Sequence, residues 1–176
     1  MITRLLFYTT LGFLSLPFSS SALLAGPSPQ QKTTKKSQKS PRTKMINAYN
    51  AGVKLMLLSK HSAAQNKFEQ ALEHDAQFAE AHNNLAYVLR KQGKKNHSKA
   101  LVHYNKAIAL KPKMAEAYMY RGVLHVQMGQ VKNANEDLKK LYALKSKLAK
   151  ELEHVLQTGE EKQPAQFFGV SKRLPR

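Results

Sequence analysis

Seven histidines give this 176-residue chain its widest range of possible chemistry: His61, His74, His82, His97, His103, His125 and His154. No two of them stand four apart with a glutamate between, the spacing that sets two imidazoles on one helix face around zinc. His74 precedes Asp75 near the end of an apolar-periodic segment, where a helix dipole favours a histidine without any ligand role. There is no cysteine, which removes disulfides, thiolate metal sites, cysteine nucleophiles and a lipoprotein acyl anchor. No glycine-rich phosphate loop, no Gly-x-Ser-x-Gly elbow and no paired carboxylates occur. Only 11 acidic residues stand against 29 basic ones, and Glu136-Asp137 reads as a solvated helix face. The expectation is a chain with no catalytic residues, no metal site and no cofactor, whose chemistry is recognition.

The elements that position recognition residues are announced by a recurrence at a spacing of about 34 residues. Gly52, Ala64, Phe68, Ala71 and Ala76 return as Gly122, Ala134, Leu138, Leu141 and Ser146, with the same steps of 12, 4, 3 and 5. Between them lie Ala86, Ala100, Tyr104, Ala107 and Pro112, with a first step of 14 and the rest unchanged. Small residues let two antiparallel helices approach closely, and the bulky residue four on fills the gap beside them. In the middle unit, Leu85 and Tyr87 to Leu89 mark a first helix. Ala100, Leu101, Tyr104, Ala107, Ile108 and Leu110 mark a second at i, i+3, i+4 and i+7 spacing. Gly93 and Gly129 fall where the turn between helices must come, and Ser59 takes that place in the first unit. Pro112 stops the second helix because it cannot continue the backbone ladder.

These residues resemble the tetratricopeptide repeat (TPR) family. The resemblance rests on Ala115-Glu116-Ala117-Tyr118-Met119-Tyr120-Arg121-Gly122 followed by Gly129, and on Ala100, Tyr104, Ala107 and Pro112 at the family's steps. It covers residues 45–148 as three units, 45–78, 79–114 and 115–148, and implies an all-α solenoid of helical hairpins. Ala76 and Ser146 stand where the family usually has proline. Leu141 stands where a small residue is usual, so the third hairpin is expected to pack at a different distance. Two extra residues of the middle unit are placed in the loop Gly93 to His97. Leu148, Leu152, Val155 and Leu156 form a further apolar stripe that ends at Gly159. A polar-backed helix of this kind, occupying residues 149–159 and the end of the third unit, is expected to cap the last hydrophobic face.

The ends differ from the middle. Residues 1–25 hold a short positive start, an uncharged apolar stretch and the small-residue finish Ser20-Ser21-Ala22, the layout of a secretory signal peptide. An uncleaved membrane anchor is the alternative, since Leu5 to Ala25 could just span a bilayer. The expected location is therefore periplasmic or secreted. Residues 26–44 turn to Pro, Ser, Gln, Thr and Lys and read as a disordered linker. Lys32, Lys35, Lys36, Lys39, Arg42 and Lys44 make it basic, and a net charge of +18 draws such a chain to anionic surfaces. Membrane phospholipid, lipopolysaccharide or an acidic protein could each supply one, whereas export argues against nucleic acid. Residues 160–176 read as a disordered tail holding Phe167-Phe168-Gly169.

Binding is what a solenoid of helix pairs offers, since its first helices line a concave surface. The TPR resemblance implies that a partner peptide or helix lies there. Helical phase places Tyr49, Val53 and Met56 on the inner face of the first unit, Asn83, Tyr87, Arg90 and Lys91 in the second, and Met119, Val123 and Gln127 in the third. Aromatic and methionine side chains suit an adaptable contact surface, and Arg90 could grip a carboxylate. The competing reading puts Val53, Met56 and Val123 in the core. TPR domains that clamp the C-terminal carboxylate of chaperones resemble one another in a set of Lys, Asn and Arg positions. Asn84 matches that set, but Tyr49, Val53, Glu116 and Tyr120 fill its other places, so no such clamp is expected. The expected function is an exported, non-enzymatic adaptor. The alternative is a basic protein that associates with a polyanion, its repeats serving as scaffold.

Overall fold

The computed structural model describes residues 40–161. The signal segment, all of the basic linker before Ser40 and the Phe167-Phe168 tail lie outside the described residues. Helix α1 spans Pro41–Leu57, α2 His61–His74, α3 Ala79–Lys91, α4 His97–Leu110, α5 Ala115–Gln127, α6 Val131–Ala143 and α7 Ala149–Thr158. Among the described residues there is no strand, and no helix is long and apolar enough to cross a membrane.

Local chemistry sets the boundaries. Helix α1 takes in the last four residues of the expected linker, 41–44, because Ser40 and Pro41 form a ready-made start. The Ser40 hydroxyl accepts from the Thr43 amide at 3.2 Å, and Pro41 sits where its missing N–H costs nothing. Arg42 and Lys44 are thus exposed helical residues and not part of an extended tether. The hairpin turns fall at Ser59 (φ 55°), Gly93 (φ 114°), Gly129 (φ 72°) and Lys145 (φ 51°). The two extra residues of the middle unit are taken up in the loop around a single 3-10 turn, Lys94–Asn96. Helix α7 ends on Gly159 in the left-handed conformation, whose amide donates to the Val155 carbonyl at 2.8 Å.

Each helix packs on the next, giving the hairpins α1–α2, α3–α4 and α5–α6. Helix α3 also touches α1 on one side and α5 on the other. These three helices therefore line the inner side of the curve, and α2, α4 and α6 the outer side. The small-with-bulky rule is visible at Gly52, where an added Cβ would stand 2.7 Å from the Phe68 ring. The third unit uses the same device differently. A Cβ on Gly122 would stand 2.5 Å from Leu152 of α7, not against Leu138 of its own hairpin. Leu141 is fully buried in that hairpin, and α7 takes the place beside α5 that a fourth repeat would take. Leu152 and Val155 are buried there, so the capping stripe does cover the last hydrophobic face.

Candidate functional site

The inner positions are far less open than helical phase alone suggests. Of the ten residues expected there, Tyr49, Met56, Asn83, Tyr87, Arg90, Met119 and Val123 are buried. Val53 is half-buried, and only Lys91 and Gln127 are exposed. Tyr49 belongs to the core because its ring packs on Phe68 at 5.8 Å and on Phe78 at 4.7 Å between centroids. Its hydroxyl accepts from the Asn84 side-chain amide at 3.1 Å, a buried link from α3 to α1. Asn83 donates to Asn84 at 3.2 Å, leaving the Asn83 oxygen without a partner. Burial corrects the expectation of an open face for Met56 and Val123, which join the core as their competing reading held.

Three of the ten residues do converge, with two that the sequence left out. Tyr87, Arg90 and Lys91 of α3 meet Tyr120 of α5 and Glu161, which follows α7. The Tyr87 and Tyr120 rings stand edge to face, 5.3 Å apart. The Arg90 guanidinium lies 5.4 Å from the first centroid and 6.0 Å from the second. Lys91 Nζ is also 6.0 Å from the Tyr87 ring. Such cation–ring contacts are each worth about 0.5–2 kcal/mol, with desolvated ones at the upper end. Arg90 Nη2 donates to one Glu161 oxygen, and Lys91 Nζ donates to the other at 3.2 Å. Burial pushes the Tyr87 hydroxyl up to about 12, and it raises the Tyr104 and Tyr120 hydroxyls further, so all three are neutral donors. Burial works against the Glu161 charge, but Arg90 and Lys91 outweigh it and hold the carboxyl below its usual range. Periodicity gives no sign of Glu161, because nothing local connects it to a helix 70 residues away.

Other polar residues have structural work. Asp137, expected on a solvated face, is 1% exposed and accepts two bonds from Arg121, at 3.1 and 2.6 Å. Arg121 also donates to Asn105 at 2.7 Å, so one side chain of α5 joins α4 and α6. His82 and His103 stack with Nδ1 atoms 3.0 Å apart. His82 Nε2 is 3.1 Å from the Ala76 carbonyl, which can only accept, so Nε2 carries the proton. His82 Nδ1 must then accept from His103. His125 pairs with the Gln130 side chain at 2.8 Å. Among the described residues no group of three His, Asp or Glu side chains could hold a metal.

Residues 94–149 match the family model described as TPR repeat, and residues 67–101 match one described as tetratricopeptide repeat. The chain is similar to the Arabidopsis OM64 TPR domain, with 20% identity and a TM-score of 0.62 over 69% of this chain and 100% of that one. It is similar to the first TPR of Spaghetti (RPAP3) bound to an HSP90 peptide, with 21% identity and a TM-score of 0.59 over 65% and 92%. Similarity to MamA reaches 26% identity and a TM-score of 0.55, over 61% of this chain and 62% of that one. No curated protein matches the chain. Two repeat models that together match residues 67–149, on a fold of helical hairpins capped by α7, make this chain a tetratricopeptide repeat protein.

Proposed function

We propose that this protein is a non-enzymatic adaptor that holds a peptide or helix of another protein on the inner face formed by α1, α3 and α5. The observation that carries this reading is the cluster of Tyr87, Arg90, Lys91 and Tyr120, two cations and two aromatic rings on facing inner helices. Large aromatic and arginine side chains are the usual anchors of protein interfaces. The Spaghetti domain of the same fold is bound to an HSP90 peptide, which supports a peptide as the class of partner. A chaperone-tail clamp is not part of the proposal. Asn84, its one matching residue, gives its amide to Tyr49, and neither Tyr49 nor Tyr120 supplies the cation that such a clamp needs. The acidic Glu116 would repel a carboxylate.

Export through the 1–25 segment belongs to the same reading, on the strength of that segment's layout. So does a supporting contact of Lys32, Lys35, Lys36 and Lys39, continued by Arg42 and Lys44 at the start of α1, with an anionic surface, where tethering would multiply the two affinities. The test is an affinity capture with the full chain, a Lys91→Glu variant on the inner face and a Lys139→Glu variant on the outer face. Lys91 and Lys139 are both exposed, so neither change should disturb folding. The partner should be lost with Lys91→Glu and retained with Lys139→Glu. Equal recovery by both would refute the groove, and a steep fall in capture between low and physiological salt for all forms would favour the polyanion alternative.

A further inference from the structure

The inner face of the middle repeat already holds a carboxylate, and it belongs to the chain itself. Glu161 stands two residues past the Gly159 turn, yet its side chain lies on Arg90 and Lys91 of α3. Helix α7 does not need this contact to end. Gly159 caps it, and the Thr158 hydroxyl takes the Glu160 amide at 3.1 Å. The Arg90 side chain is 0% exposed and that of Glu161 is 23% exposed. A buried guanidinium has five N–H donors to satisfy. Here Nη2 is bonded to Glu161 and the guanidinium also lies against the buried Tyr104 hydroxyl, while Nε and Nη1 make no hydrogen bond of ordinary geometry. Glu161 accepts one bond from each cation instead of the paired bonds that a carboxylate set square to the guanidinium fork would take.

We propose that Arg90 and Lys91 form a seat for an acidic side chain of the peptide partner, and that Glu161 occupies this seat in the free chain. The inference rests on the groove reading and names the chemistry of its guest. A partner presenting Asp or Glu at this point displaces Glu161 and takes up the donors that Glu161 leaves unused. Glu161 is tethered, so it competes at an effective concentration on the order of millimolar. A seat free for only about a tenth of the time weakens apparent affinity about tenfold.

The probe is a fluorescein-labelled, C-terminally amidated peptide with the sequence of residues Gln157 to Val170, added in trans. Amidation leaves only side-chain carboxylates to bind. The full chain is compared with its Glu161→Gln variant and with Glu160→Gln, which is matched in charge and has no side-chain contact to α3. The probe should bind Glu161→Gln about tenfold more tightly than the other two. Adding Lys91→Gln should remove most of that gain, and a probe carrying Glu161→Gln should show none. Equal affinity for the two charge-matched variants overturns the seat. A second measurement needs no variant: in a carbon NMR titration, Glu161 of the full chain should titrate below the usual carboxylate range. Titration like a free glutamate overturns the resident occupant. Partner capture that is lost with Lys91→Glu but unchanged by Glu161→Gln would remove the seat and leave the groove standing.

Discussion

Two polar contacts at the residue scale carry stability that hydropathy does not register. Asp137 is a buried carboxylate held by both prongs of the Arg121 guanidinium. Removing one partner of a buried pair costs about 3–5 kcal/mol, because it strands the other charge. Arg121 keeps 22% exposure and its bond to Asn105, so Asp137→Ala should cost nearer the bottom of that range, about 3 kcal/mol. Urea unfolding measures it, and a loss under about 0.5 kcal/mol would mean that the pair behaves as a surface one. The His82–His103 contact makes a statement about pH. Burial lowers the pKa of both rings from 6.5, with Lys106 also lowering and Asp75 raising His82, and with Glu69 raising His103. The unfolded chain then binds more protons than the folded one below about pH 7. Stability should be full above that pH and fall as pH drops through 6.5. Melting of the wild type at pH 7.5 and 5.5, beside His103→Gln, checks the sign. The acid loss should shrink in the variant without vanishing, because burial lowers His61 and His97 too. A wild type more stable at pH 5.5 would contradict the pairing.

At the scale of elements, the repeat period carried most of the fold into view. Equal steps from Gly52 and from Gly122 imply equal hairpins, and the turns fall at Ser59, Gly93 and Gly129 where the spacing put them. What stayed hidden crosses between elements. A helical phase tells which side of a helix faces inward, but not whether a neighbour fills that side. Tyr49 lies inside because Phe68, Phe78 and Asn84 close over it. Leu152 meets Gly122 because a capping helix, not a hairpin partner, stands beside α5. Asp137 looked solvated because its partner lies 16 residues earlier on another helix. The α6–α7 turn gives an element-scale test. Lys145 sits at φ 51°, a conformation that costs a side-chain-bearing residue about 1 kcal/mol. Lys145→Gly should raise stability by about 0.5–1 kcal/mol in a denaturant titration. A loss would show that the lysine side chain does more there than endure the turn.

Among the described residues of the whole molecule, three repeats and a cap form one inner face, the one proposed for recognition, and its middle holds the Tyr87, Arg90, Lys91 and Tyr120 cluster. The net charge of +18 adds long-range attraction to acidic partners, which speeds encounter without choosing a site. On the proposed reading, choice comes from the inner face, where cations and rings are held in fixed positions by the hairpins. Site-specific photocrosslinking asks this most directly. A benzophenone side chain placed at Lys91 on the inner face is compared with one placed at Lys139 on the outer face, in the full chain expressed in its own cells. The partner should be trapped as one covalent adduct from position 91, with none from position 139. Adducts from position 139 alone, or equal adducts from both, would contradict binding on the inner face.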